Sequence, residues 1–189
     1  MLRAAKLLLV AAAAWFPAVH AYAEIADGFD SARQTKSRYF TIYLQGGIDA
    51  ERLAMKIALP QEMRSIVASS SEFQSSLSFE DQIDVLYLAV SEILQAHMKN
   101  FESTAKVCSG PEGLAGVSRE LFGRDIKTGG FYVVALDALY IDSENVSLYV
   151  LGHELAHAVI SKYFVVPPPE KIQEVLAGYV EYELRKYSR

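Results

Sequence analysis

The chain has 189 residues and a formal net charge of −5, with 51% hydrophobic and 22% charged residues. This composition excludes a largely disordered chain, and the length suffices for one domain with a sizeable core. Because the balance is acidic and no Lys/Arg-rich run occurs, we expect neither nucleic acid nor an anionic membrane surface as a partner.

Residues 1–23 have the order of a secretory signal peptide. Arg3 and Lys6 precede the apolar run LLLVAAAAWF, and an A-x-A pattern ends at Ala23. We therefore expect cleavage after Ala23, which leaves a single mature domain over residues 24–189, exported to the periplasm or outside the cell. The alternative is an uncleaved anchor. The apolar run is short against the ~20 residues of a membrane span, so we expect no stable span after leader cleavage.

Segments rich in β-branched and aromatic residues predict strands, and segments with apolar residues at helical spacing predict helices. Strands are expected at residues 38–44, 103–109, 129–136 and 138–141. Helices are expected at residues 49–59, 79–100, 119–123 and 143–164, and after Pro169. Because strands and helices are partly segregated along the chain, we predict an α+β fold with a small mixed or antiparallel sheet packed on helices.

Two segments between these elements are expected to be irregular. Residues 61–77 are rich in serine and give no clear element. Within them ASSSEFQSS (68–76) predicts a loop or linker, and GPEGLAG at 110–116 predicts a turn. Ser78, with Asp81 three residues later, predicts the N-cap of one long helix, and Ser143 predicts the N-cap of the other.

His97 and Cys108 are expected to be structural. His97 lies near the end of a predicted helix, beside its apolar stripe. Cys108 is the only cysteine, so an exported chain of this sequence has no internal disulfide. It follows the apolar residues AKV and predicts a small buried side chain.

The sequence HELAH places His153 and His157 four residues apart, with Glu154 between them. On an α-helix this spacing sets both imidazoles on one side, one turn apart, where they can share one Zn²⁺ at about 2.0–2.1 Å. Glu154 is rotated about 100° from His153. It cannot easily ligate the same ion, but it can reach a water bound to that ion and act as general base.

The surroundings of this motif favour a zinc site over coincidence. The predicted helix around it is apolar, with Tyr149, Val150, Leu155 and Ile160 among the neighbours. Ionisable groups in an apolar helix are costly unless they are paired or coordinated. A solvated polar face would carry more Lys, Arg and Glu.

A catalytic zinc normally takes three protein ligands, so a third is expected. No histidine follows His157, which excludes a three-histidine site and leaves the carboxylates of the last predicted helix. Glu174 is favoured because it stands beside the apolar run VLA, where a carboxylate is expected to have a partner or a function. Glu170, at the start of the helix, is the alternative, although it also suits the helix dipole. Glu181 and Glu183 fit a solvated face better.

HELAH followed by EVLAGYVEY (174–182) resembles the gluzincin metallopeptidases, the thermolysin-like clan with H-E-x-x-H and a downstream glutamate. It is most similar to the small bacterial members whose second motif is E-G-x-A-x-Y. Glu174, Ala177 and Tyr179 match that form, and Val175 stands where the form has glycine. The resemblance covers about residues 130–185. It implies a zincin-like fold in which the active-site helix is followed by a C-terminal helix bearing the third ligand.

The resemblance also implies the roles of individual residues. His153, His157 and Glu174 would hold Zn²⁺, and Glu154 would act as general base and proton shuttle. Tyr179, within the matched motif, is the candidate catalytic donor to the oxyanion. Other candidates for that donor are Tyr140, Tyr182 and His97.

Two further features are expected around such a site. An edge strand before the active helix, FYVVAL or ALYI, would pair with an extended substrate. Second-shell acceptors would fix the imidazoles. The candidate acceptors are Asp137, Asp142 and Glu181.

The sequence therefore predicts an exported zinc-dependent peptidase acting on a peptide or protein substrate, with Glu154 as the base. A non-catalytic zinc-binding or cell-envelope interaction protein on the same scaffold is the alternative. The presence of Glu154 argues against it, since a binder needs the ligands but not the base. Metal-dependent deformylation is a third hypothesis. It would require Cys108 as a ligand and fits an exported chain poorly.

Overall fold

The computed structural model describes residues 26–67 and 77–186, so the expected leader over residues 1–23 lies outside the described residues. Within those ranges the strands are β1 (Arg33–Lys36), β2 (Phe40–Leu44), β3 (Ser103–Cys108), β4 (Gly130–Val133) and β5 (Ala138–Asp142). The helices are α1 (Ala50–Lys56), α2 (Gln61–Val67), α3 (Phe79–Ile93), α4 (Gly110–Phe122), α5 (Leu148–Tyr163) and α6 (Glu170–Lys186). None of these described helices has the length and apolar character needed to cross a membrane.

The strands form one mixed sheet in the order β1-β2-β3-β5-β4. β2, β3 and β5 run parallel, and β1 and β4 add the two edges in antiparallel orientation. Parallel neighbours need long crossover connections. The first contains α1 to α3, and the second contains α4 and β4. The expectation of an α+β chain with a mixed sheet packed on helices is confirmed.

The sheet separates two apolar clusters, because successive residues of a strand point to opposite faces. Leu139 and Ile141 of β5 belong to the larger cluster, which includes buried residues of α1, α3, α5 and α6. Tyr140 of the same strand belongs to the smaller cluster, which Leu114 and Val117 of α4 cover. The helix that carries the HELAH motif, α5, therefore packs on the face of the larger cluster.

The helix start at Ser78 is confirmed, and the start at Ser143 is wrong. Ser78 and Asp81 form a complete capping box for α3. The N-cap of α5 is Ser147, whose side chain accepts a hydrogen bond from the Val150 amide. Ser143 instead accepts one from the amide of Gly110, so its hydroxyl fixes the start of α4 against the β5–α5 connection.

Two other boundaries differ from expectation. Helix α3 ends at Ile93 rather than near residue 100, because Gln95 has a left-handed φ of 52°. The expected turn at 110–116 is the first half of α4, which has proline in its first turn, a favourable position. Residues 61–67, which gave no clear signal, form helix α2, and the loop expected at 68–76 lies outside the described residues.

The Leu184 side chain of α6 packs directly on Gly152 of α5. A Cβ added at Gly152 would lie 2.2 Å from Leu184 Cδ1 and 3.8 Å from Val180 Cγ1. Leu184 and Val180 are both fully buried, so the space above Gly152 is already filled. The residue before His153 must therefore be very small for α6 to reach α5.

We expect Gly152→Ala to lower the free energy of unfolding by about 1–3 kcal/mol, because the new methyl group overpacks the α5–α6 contact. Gly178→Ala is the matched control, since nothing lies within 4 Å of a Cβ at that helical position. It should raise the free energy of unfolding by about 0.5–1 kcal/mol through helix propensity alone. Urea unfolding measures both. Equal effects of the two substitutions would contradict the close packing.

Candidate metal centre

Helix α5 presents the two imidazoles of the motif on one side. His153 and His157 are one turn apart, and their Nε2 atoms are 3.2 Å from each other. Both side chains are mostly buried, with 23% and 16% of their surface exposed. The apolar side of the same helix, which includes Leu155 and Val159, is fully buried in the larger cluster. Burial of that side orients the imidazoles towards α6.

Helix α6 returns along α5 and brings Glu174 to both imidazoles. Its Oε2 lies 3.4 Å from His153 Nε2, and its Oε1 lies 3.4 Å from His157 Nε2. The three residues form a group whose ligand atoms all lie within 4.8 Å of one another. Glu170, the alternative third ligand, is not part of this group and lies in the exposed first turn of α6.

The spacing of the three donor groups fits a tetrahedral zinc. With metal–ligand bonds of about 2.0–2.1 Å at tetrahedral angles, neighbouring ligand atoms lie about 3.3 Å apart. The 3.2 Å between the two Nε2 atoms agrees with that value, and Glu174 reaches each imidazole at 3.4 Å with a different carboxylate oxygen. With one ligand atom taken from each residue, the three atoms lie within 4.8 Å of one another. Two imidazoles and one carboxylate also match the donor chemistry of catalytic zinc sites. The residues present therefore fit the ion that the motif predicts.

Each imidazole has a further polar partner on α6. The side chain of Gln173 lies close enough to His157 to raise the pKa of its imidazole, and it donates from its Nε2 to the Pro168 carbonyl at 2.8 Å. The amide oxygen of Gln173 is therefore the atom that can accept a hydrogen bond from His157. The Nδ1 of His153 faces Glu181 Oε2 at 3.7 Å. Such partners fix the orientation of metal-ligating histidines.

The carboxylate of Glu154 is tied to the edge strand β4. Its Oε2 accepts a hydrogen bond of 3.1 Å from the Tyr132 amide. The pKa of Glu154 is raised to about 8, chiefly by burial; the Tyr132 hydrogen bond lowers it and the nearby Glu174 carboxylate adds to the rise. Burial also lowers the pKa of His157. Glu154 is thus a carboxyl group that exchanges its proton near neutral pH.

The expected edge strand is β4, and the suggestion that ALYI serves as an edge is wrong. Those residues form most of β5, which lies between β3 and β4 in the sheet. The open edge of β4 is partly occupied. The Gly130 amide and carbonyl both bond to the hydroxyl of Thr128, and the Tyr132 amide donates to Glu154.

The structure does not bring Tyr179 to the group. Tyr179 follows Glu174 by five residues, which turns it about 140° around the axis of α6. It is 48% exposed, on the same outward side as the exposed Val175 and Tyr182. The predicted oxyanion role of Tyr179 therefore has no supporting contact. Tyr140 is buried beneath α4 and bonds to Asp27, and the His97 side chain is 62% exposed near Glu92.

The remaining candidates are placed elsewhere. Asp137 bonds to Ser103 and the Tyr132 hydroxyl, and Asp142 accepts from the turn that follows β5. Cys108 is fully buried in the smaller cluster, where burial raises the pKa of its thiol to about 12. The expectation that Cys108 is a buried structural side chain is confirmed. A cysteine ligand, as deformylation would require, is not part of the group.

Comparison with known proteins adds no assignment. A scan of protein-family models found no match, and searches of curated proteins and of solved structures also found none.

Sequence reasoning missed two residues that shape the site. Tyr132 acts through its backbone amide, which no side-chain pattern reveals. Gln173 has a recognisable signal in retrospect, because it precedes Glu174 directly on the helix that faces the motif. An amide beside a predicted ligand is a natural second partner for an imidazole.

In the metal-free protein, Glu154 should make stability depend on pH. Its folded-state pKa of about 8 exceeds the ~4.3 of an unfolded glutamate. Its stabilising contribution is therefore complete below about pH 4 and is lost as the pH rises through 8. With a chelator present, we expect Glu154→Gln to become more stable than the wild type between pH 5 and 9, by on the order of 5 kcal/mol at the upper end.

The difference between the two unfolding curves is the quantity to measure, because it removes other titrating groups. His157 contributes in the opposite sense, since its lowered pKa costs stability as the pH falls below about 6.5. It does so in both proteins. A difference that stays constant across this range would contradict the environment assigned to Glu154.

Proposed function

We propose that the protein is an exported zinc-dependent peptidase. The observation that carries this proposal is the convergence of His153, His157 and Glu174, with Glu154 beside them. The two Nε2 atoms are 3.2 Å apart, and a Glu174 carboxylate oxygen lies 3.4 Å from each of them. A binding protein would need the three ligands but not a buried carboxyl group held next to them. The signal-peptide pattern of the leader supports export.

In this proposal His153, His157 and Glu174 hold the zinc ion, which supplies a Lewis acid that polarises water and the peptide carbonyl. Three protein ligands leave a position for water or substrate. Such a site needs a neighbouring base that can take a proton from water and later return it to the leaving amine.

Glu154 has the arrangement that this proton transfer requires. The Tyr132 amide holds its Oε2, so Oε1 is the oxygen that takes the proton from water and gives it to the amine nitrogen. A pKa near neutrality makes both transfers accessible, since an efficient acid–base group has a pKa close to the working pH. The pKa of about 8 in the absence of metal will fall when a cation binds nearby.

A peptide is the substrate class that the surroundings favour. Helix α5 packs directly against the edge strand β4. The Tyr132 amide of this strand bonds to Glu154. Extended peptides bind such edges through main-chain hydrogen bonds. Since Gly130 is already bonded to Thr128, pairing would have to use the β4 edge beyond this residue or displace the Thr128 hydroxyl.

We expect the purified protein to bind one zinc ion per chain and each of His153→Ala, His157→Ala and Glu174→Ala to weaken binding more than about 100-fold. Competition titration against a chromophoric chelator measures the affinity. Glu170→Ala is the matched control, because it removes a carboxylate from the same helix outside the group. Loss of zinc in Glu170→Ala, with Glu174→Ala unchanged, would reverse the ligand assignment.

We expect the wild type to cleave members of a mixed peptide library and Glu154→Gln to reduce kcat/KM by about 10²–10⁴-fold while retaining zinc. Product analysis by mass spectrometry, with zinc content measured in both proteins, tests this. If neither protein cleaves any peptide although both hold zinc, the non-catalytic binding protein becomes the better account.

A further inference from the structure

Glu181 is placed between two residues that give it a defined orientation. Its Oε1 accepts two hydrogen bonds from Arg185, at 3.1 Å from Nε and 2.6 Å from Nη2. Its Oε2 faces His153 Nδ1 at 3.7 Å. The two oxygens are thus divided between the cation and the imidazole.

Arg185 is itself held by α5. Its guanidinium carbon lies 4.2 Å from the centre of the Tyr149 ring, a distance within the range of cation–π contacts. Tyr149 precedes His153 by one helical turn, so both lie on one side of α5. A series of side-chain contacts therefore runs from Tyr149 of α5 through Arg185 and Glu181 of α6 back to His153 of α5.

This series of contacts contributes little to the stability of the fold by itself. The side chains of Arg185 and Glu181 are 54% and 33% exposed, and solvent screens exposed ion pairs so that they stabilise a fold only slightly. Its geometric effect is larger, because Arg185 restricts the rotamers of Glu181. Glu181 follows Glu174 by seven residues, two turns of α6, so both carboxylates lie on the same side of that helix.

We propose that Glu181, oriented by Arg185, is the positioning residue for His153, keeping the proton on Nδ1 so that Nε2 is directed at the metal. The inference rests on the metal site of the proposed function. The side chain of Gln173 lies beside His157, so α6 brings a polar group to each imidazole as well as the third ligand. Glu181 touches neither substrate nor ion.

The test measures zinc affinity by chelator competition. Glu181→Met, which removes both the charge and the acceptor, should weaken binding about 10–100-fold. Glu181→Gln, which keeps an acceptor oxygen, should fall between Glu181→Met and the wild type. Glu183→Met is the control for charge alone. It removes one negative charge from the same helix, about 200° around the axis from Glu181, and should bind zinc within about twofold of the wild type.

A second readout separates positioning from a general loss of structure. In the zinc-loaded wild type, the Nδ1 proton of His153 should give a downfield proton resonance that exchanges slowly with water. In Glu181→Met that resonance should move upfield and broaden. Thermal unfolding of the metal-free proteins shows whether the variant is folded. If it is not, Arg185→Met replaces it, since it leaves the carboxylate but removes its anchor, and should weaken binding several-fold.

The outcomes distinguish this inference from the proposed function. Zinc binding by the wild type that is equally tight in Glu181→Met would overturn the positioning role alone. A loss as large in Glu183→Met would also overturn it, because net charge would then explain the effect. Failure of the wild type to bind zinc would overturn both the metal site and the role of Glu181.

Discussion

The packing of α6 on α5 is the contact on which the candidate metal centre depends. Helix α5 supplies the imidazoles of His153 and His157 and the carboxyl group of Glu154. Glu174 and the polar partners of both imidazoles come from α6. Within the described chain, α6 buries only Ala177, Val180 and Leu184 completely, and fully burying a Val or Leu side chain is worth about 1.5–3 kcal/mol. The docking of α6 is therefore modest in apolar area, and it is possible at this distance only because Gly152 has no side chain.

A bound ion would connect the same two helices. Ligands that bind only the folded arrangement stabilise it by mass action, so zinc would hold α6 against α5 in addition to the apolar contacts. The electrostatics of the site point the same way. Burial lowers the pKa of His157, which leaves its imidazole neutral and able to donate a lone pair. The nearby Glu174 carboxylate raises the pKa of Glu154, a repulsion that a bound cation would relieve.

The features that the sequence predicts correctly are those fixed by residues close together in the chain. Ser78 and Asp81 gave a cap that the structure confirms, and the i, i+4 spacing of His153 and His157 was sufficient to place both imidazoles together. The start of α4 differs from expectation because three glycines disfavour a helix in isolation. Burial of Leu114 and Val117 under the sheet outweighs that propensity, and such burial is a property of the assembled fold.

The site was predictable as far as it follows from helical periodicity. Glu174 was favoured because a carboxylate beside an apolar run needs a partner, and the structure places it 3.4 Å from both imidazoles. Tyr179 was selected by its motif position, although five residues of helix turn it away from Glu174. The contact of the Tyr132 amide with Glu154 joins residues 22 positions apart through a backbone group, so no pattern of side chains could reveal it.

The central claim is that one zinc ion is shared by His153, His157 and Glu174. Anomalous diffraction at the zinc absorption edge, from crystals of the zinc-loaded protein, tests it most directly. The account predicts one strong peak about 2.0–2.2 Å from Nε2 of both histidines and from a Glu174 carboxylate oxygen. A zinc peak at any other set of ligands, or none within reach of Glu174 in fully loaded crystals, would contradict it.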